Sequence, residues 1–155
     1  NNGGMMQIYV DADAFPNALK AILYRAVERT RIPALLVACQ YVTIPDNPLL
    51  RSIEITAGPD AADDHIVELV SAGDLVITAD IPLAARVVRK EASAIDPRGT
   101  LYTERNVFEK LAARNLMADL RAEGLVGGGP AGFSKKDCQA FANALDGFLT
   151  RKMRG

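Results

Sequence analysis

Ile8-Tyr9-Val10-Asp11-Ala12-Asp13-Ala14-Phe15-Pro16 constrains the fold more than any other stretch of the chain. An apolar run of β-forming residues ends in two carboxylates spaced i, i+2, and a proline then opens a helical pattern. If 8–10 is a buried strand, Asp11 and Asp13 stand at its carboxyl end, the edge at which open α/β sheets bind ligands. Two aspartates placed there repel each other unless a cation, a proton or a donor group compensates them. A divalent metal is the expected compensation, with further carboxylates supplied by the rest of the chain.

The remaining pattern predicts alternating strands and helices. Pro16 suits a helix start, and Ala18, Leu19, Ile22, Leu23, Ala26 and Val27 recur on one helical face until Pro33 ends it. The apolar run 34–38 reads as a strand buried on both faces. Strand, helix and strand with short links predict a right-handed parallel unit. Residues 41–50 hold Pro45, Asp46, Asn47 and Pro48 and read as a loop, and 52–56 alternates as a third strand. Gly58-Pro59 is a turn signal. Asp60 is the expected N-cap of a helix with Ala62, Ile66, Leu69 and Val70 inside and Gly73 as its stop. Residues 75–77 form another buried strand, followed by Thr78-Ala79-Asp80. Pro82 opens a helix that turns Leu83, Val87 and Val88 inward. Residues 93–95 make a short strand closed by the turn Asp96-Pro97-Arg98-Gly99. Thr103 caps a long helix to about Glu123, with Gly124 as its stop. Gly127-Gly128-Gly129-Pro130 and Gly132 read as a plain flexible loop, because no phosphate-cradling spacing accompanies them. Ser134 and Asp137 make an Asp version of a capping box, ahead of a core stripe of Cys138, Phe141, Leu145 and Phe148. The expected fold is an α/β three-layer sandwich with a central, mainly parallel sheet, one domain over 7–153. Asn1-Asn2-Gly3-Gly4 reads as a leader added ahead of a natural start at Met5 or Met6.

Charge and composition exclude some functions. Basic and acidic groups nearly balance, 18 against 19, which argues against coating nucleic acid through net charge. The distribution is uneven. No Lys or Arg occurs in 1–19, and none in 52–85, which carries Glu54, Asp60, Asp63, Asp64, Glu68, Asp74 and Asp80. No apolar run reaches the roughly 18 residues of a membrane span, and no secretion signal is visible. Cys39 and Cys138 match no metal-ligand spacing, so both are expected as buried free thiols of a cytoplasmic protein.

Strand ends deliver Asp11, Asp13 and Asp80, and a helix start delivers Asp60, Asp63 and Asp64. In a parallel sheet these positions share one edge. Hard oxygen ligands of this kind suit Mg²⁺ or Mn²⁺, which retain waters and meet substrate phosphates. Such an ion can activate water and neutralise charge on a phosphodiester. Thr78 is placed to hold a water of the ion or a neighbouring carboxylate. His65, the only histidine, reads as a bystander on its helix. Lys135, Lys136, Arg151, Lys152 and Arg154 read as a solvated helix end. Arg86, Arg89, Lys90 and above all Arg98 are candidates for phosphate contact.

Val10-Asp11-Ala12-Asp13-Ala14, the stretch from Ala57 to Asp64, Ile77-Thr78-Ala79-Asp80-Ile81-Pro82-Leu83-Ala84, Asp96-Pro97-Arg98-Gly99, and Gly128-Gly129-Pro130 followed by Phe133 together resemble the YaiI/YqxD family of small bacterial proteins. The resemblance covers almost the full length. That family is in turn similar to the PIN-like metal-dependent nucleases. Their pattern is an Asp after the first strand, an acid on a middle helix and a T-x-D after a later strand. It falls here on Asp11, on Asp63 or Asp64, and on Asp80 with Thr78, while Asp13 is an extra acid. One departure is Phe15, where similar sequences often carry Cys. The resemblance implies a PIN-like fold and hydrolysis of phosphodiesters, with RNA as the expected substrate.

Two other readings stand beside it. A PIN-like scaffold could bind nucleic acid or protein without turnover. A phosphatase of the haloacid dehalogenase type would use Asp11 as nucleophile and Asp13 as acid/base. That class also needs a later Lys and a close acidic pair, a spacing that Asp74 and Asp80 do not reproduce.

Overall fold

The computed structural model describes residues 6–58, 60–124 and 133–154. Residues 1–4, Pro59 and the glycine-rich stretch 127–132 lie outside the described residues. Six strands, β1 (Ile8–Asp11), β2 (Ala34–Ala38), β3 (Leu50–Glu54), β4 (Leu75–Ile77), β5 (Ser93–Ile95) and β6 (Leu101–Tyr102), form a sheet in the order β3-β2-β1-β4-β5-β6. All its pairings are parallel except β5–β6. Helices α1 (Asn17–Thr30), α2 (Ala61–Leu69), α3 (Ile81–Arg89), α4 (Glu104–Ala122) and α5 (Lys135–Arg154) complete the described structure. Among the described residues no helix is long and apolar enough to cross a membrane.

Side chains alternate across a strand, so each face of the sheet builds its own core. Ile8 and Val10, Leu36, Leu75, Ile77 and Ile95 pack against Leu19 and Leu23 of α1 and Phe141, Leu145 and Leu149 of α5. Tyr9, Leu35, Val37, Val76 and Ala94 pack against Ala62 and Ile66 of α2, Leu83, Val87 and Val88 of α3, and Val107 of α4. This is the expected three-layer α/β sandwich. Burial of each large aliphatic side chain is worth about 1.5–3 kcal/mol, and a one-residue strand slip would exchange the two faces. Phe15 belongs to the first core, meeting the Phe141 ring edge-on with centroids 5.9 Å apart.

The winding places the site. From β1 the chain moves outward through β2 to β3, then crosses back to β4 on the other side of β1. Loops leave the carboxyl ends of β1 and β4 in opposite directions, opening the crevice in which open α/β sheets bind ligands.

Several local expectations need correction. β3 starts at Leu50 rather than 52, because Leu50 pairs with Ala34 and its buried side chain joins the α1-side core. α2 ends at Leu69, where Val70 turns extended, and Gly73 (φ 89°) shapes the next turn instead of stopping the helix. Asp60 holds the N-cap position of α2 without a side-chain capping bond. α1 closes on Arg31, whose left-handed backbone (φ 60°) ends it before Pro33. β6 is too short to leave an alternating pattern. Both cysteines are free, yet partly exposed rather than buried.

Other local signals match. Thr103 and Asn106 form a reciprocal capping box on α4, and Ser134 and Asp137 form one at α5. The turn before β6 docks on α5. Gly99 has φ 95°, and a Cβ there would lie 2.7 Å from the backbone C and O of Ala140.

Candidate functional site

Asp11 is the last residue of β1, and alternation sends its side chain to the same face as Tyr9, toward α2 and α3. Beside it, the chain leaves β4 as Thr78-Ala79-Asp80. The Thr78 hydroxyl is 1% exposed; it accepts the Asp80 N–H at 2.9 Å and donates to Asp11 Oδ2 at 2.8 Å. Because the Asp80 amide occupies a lone pair of the hydroxyl, its single hydrogen is directed at the carboxylate. Asp80 caps α3, its Oδ1 accepting the Leu83 N–H at 3.2 Å. Pro82, at a position where a helix needs no N–H, helps α3 begin there.

α2 begins at the same crevice and carries Asp63 in its first turn. Burial is the largest cause that drives the Asp63 carboxyl up to about 7; repulsion from Asp11 and Asp80, a hydrogen bond to Asp80 and the charge of Asp60 add to it. Asp11 is 8% exposed, and its pKa is raised, first by burial. The Thr78 bond opposes that rise, while the charges of Asp80 and Asp13 reinforce it. Three chain segments therefore bring Asp11, Asp63 and Asp80 together, with Thr78 fixing Asp11. The starts of α2 and α3 both stand here, and their dipoles favour negative charge. The Asp63 carboxyl is nevertheless driven well above the usual carboxylate range, so the helix ends do not compensate the cluster fully.

The other predicted acids are placed differently. Asp13, in a turn of 3-10 helix after β1, is exposed, and both its oxygens accept the Cys39 N–H, at 2.9 and 3.0 Å. Asp64 is exposed and pairs with Arg86 of α3 at 2.9 Å. Asp74 is buried at the opposite edge, accepting the amides of Gln7 and Ser71 at 3.0 and 2.9 Å.

The basic candidates are largely engaged. Arg98 pairs with Asp137 at 2.6 Å and lies over the Phe133 ring. Arg89 covers Phe108, Lys152 covers Phe148, and Lys90 donates to the Val67 carbonyl. Arg98, singled out for phosphate, therefore ties the turn before β6 to the start of α5.

The sequence reading missed Cys39, which follows β2 at the same edge. Its thiol is raised first by a hydrogen bond to Asp13, then by burial and by the charges of Asp13, Asp11 and Asp63. Only the parallel register of β1 and β2 brings it there, and no local signal reports that.

Among the described residues no three His, Cys, Asp or Glu side chains form a ready-made metal cage. Mg²⁺ does not need one, since it commonly uses one or two carboxylates and fills its shell with water and substrate phosphate. A mutually repelling group of hard oxygen donors fits such an ion in its chemistry.

Over residues 9–151 the chain matches the family described as "Uncharacterized BCR, YaiI/YqxD family". It is 55% identical over 148 residues to a UPF0178 protein of Maridesulfovibrio salexigens, covering 96% of this chain and 98% of that one. It is 54% identical over 149 residues to one of Trichlorobacter lovleyi, covering 96% and 97%. It is 53% identical over 146 residues to one of Dechloromonas aromatica, covering 94% and 97%. No solved structure matches it significantly.

Proposed function

We propose that this chain, which belongs to the YaiI/YqxD family, is a PIN-like hydrolase of phosphodiester bonds in RNA that works with Mg²⁺ or Mn²⁺. The observation that carries this reading is the convergence of Asp11, Asp63 and Asp80 at the point where the sheet reverses its winding.

Asp63 and Asp80, whose charges oppose each other, would hold the ion with Asp11 beside them. Asp13 and Asp64 are engaged instead by the Cys39 N–H and by Arg86. A bound divalent ion lowers the pKa of water and neutralises charge on a phosphodiester as it breaks. The protein's share is positioning. The Thr78 hydroxyl directs one oxygen of Asp11 and keeps that carboxylate from turning. Asp80 is fixed by its place at the start of α3. A bound cation would favour the ionised form of Asp63, which would couple binding to pH. No protein nucleophile is needed.

The phosphatase reading asks for Asp13 to act beside Asp11. Both Asp13 oxygens instead hold the Cys39 N–H, which favours the hydrolase with water as nucleophile. A scaffold that binds without turnover has the same geometry and is separated from the hydrolase by assay.

The test is incubation of single-stranded RNA with the protein in Mn²⁺ or in EDTA, using wild type and Asp80→Asn. Asn caps a helix about as well as Asp, so the variant keeps its fold. Mn²⁺-dependent cleavage that disappears in Asp80→Asn is the expected result. Cleavage retained in EDTA or in the variant would overturn the assignment, and no cleavage of any nucleic acid would leave the binding scaffold as the better reading.

A further inference from the structure

Tyr41 is 73% exposed, the largest exposure among the large apolar side chains of the described residues. The chain around it is firmly held. Two residues earlier, the Cys39 N–H is bound by both oxygens of Asp13. On its other side, the Val42 carbonyl accepts the Ser52 hydroxyl at 3.2 Å, and Val42 and Ile44 pack on the α1-side core. The phenol ring is thus displayed in water from a segment anchored on both sides.

Its position matters as much as its exposure. Asp11 pairs in register with Val37 of β2, and Asp13, two residues past Asp11, holds the Cys39 N–H, so the loop begins beside the acidic cluster. At most about 7 Å of extended chain separates Cys39 from Tyr41. An exposed aromatic side chain therefore stands at the same sheet edge as the acidic cluster, four residues beyond the strand position that pairs with Asp11.

We propose that Tyr41 is the base-stacking platform of this site and that its substrate class is single-stranded nucleic acid. The proposal rests on the phosphodiester reading above and adds which form of nucleic acid is taken. Bases in a duplex cover one another's faces, whereas unpaired bases offer theirs to aromatic side chains. Stacking of this kind tolerates any base and adds affinity without reading sequence.

The test is fluorescence anisotropy of a short labelled single-stranded RNA in Ca²⁺. Wild type, Tyr41→Phe and Tyr41→Ala are compared, with a same-length abasic strand and a duplex as further probes. Tyr41→Ala should weaken binding of the single strand about tenfold, as loss of one base–aromatic stack does. Tyr41→Phe should bind like wild type, and wild type should bind the abasic strand and the duplex more weakly than the single strand. Equal affinity of Tyr41→Ala and wild type would overturn the proposal, as would failure of wild type to bind the strand, or equal affinity for the abasic strand or duplex. Hydrolysis of bis(p-nitrophenyl) phosphate by wild type in Mn²⁺, a substrate without a base, tests the phosphodiester reading separately.

Discussion

Replacing Asp63 by Asn should stabilise the metal-free protein at alkaline pH. The carboxyl of Asp63 ionises near 3.8 in the unfolded chain and near 7 in the folded one, raised first by burial and then by Asp11 and Asp80. Between those values the folded state binds more protons than the unfolded state. Stability therefore falls as pH rises through that window and stays low above it. The full gap corresponds to about 4 kcal/mol, at about 1.4 kcal/mol per pH unit. Asp63 is only partly buried, and solvent screening reduces this to roughly 1–2 kcal/mol. In a chain of 155 residues that is about 3–6 °C in Tm. Scanning calorimetry in EDTA from pH 4 to pH 8 reads it. Asp63→Asn should melt above wild type at pH 8, and the difference should shrink toward zero near pH 4. A variant that melts at or below wild type at pH 8, or a difference independent of pH, would refute a folded state in which burial and the neighbouring carboxylates disfavour ionised Asp63.

Thr78→Val keeps the shape of the side chain but leaves Asp11 Oδ2 and the Asp80 N–H without their partner. Urea denaturation should show a loss of about 1–3 kcal/mol, largely restored in Thr78→Ser. Gly99→Ala combines a disfavoured positive φ with a clash against the Ala140 backbone and should cost about 2 kcal/mol or more. Adding Ala140→Gly should not restore the Tm, because the backbone atoms remain. Mn²⁺ affinity should rise with pH through about 7 as Asp63 gives up its proton, and calorimetry in buffers of different ionisation enthalpy should detect proton release on binding.

Features that follow from local chemistry were readable in the sequence. The runs at β1, β2 and β4 are apolar throughout because helices cover both sheet faces. Thr103 and Ser134 announce their caps because a capping box is a contact across three residues. Asp11, Asp63, Asp80 and Thr78 could be assigned to one edge because a parallel sheet puts strand ends and helix starts together. Partners distant in sequence could not be read. Nothing near Asp13 says that it holds the Cys39 amide, nothing near Asp64 names Arg86, and nothing near Arg98 names Asp137. Those pairings separate the acids that meet in the crevice from those used elsewhere. The exposure of Tyr41 was equally hidden, since it depends on where its neighbours are anchored.

Binding of a divalent cation at the edge formed by Asp11, Asp63 and Asp80 is the step on which the proposed chemistry depends. Calorimetric titration of Mn²⁺ into wild type and Asp11→Asn at pH 8, with thermal unfolding to verify that both are folded, tests it most directly. Saturable binding to wild type that is lost or at least tenfold weaker in a folded Asp11→Asn is the expected result. Absence of binding at millimolar Mn²⁺, or the same isotherm for both proteins, would contradict it.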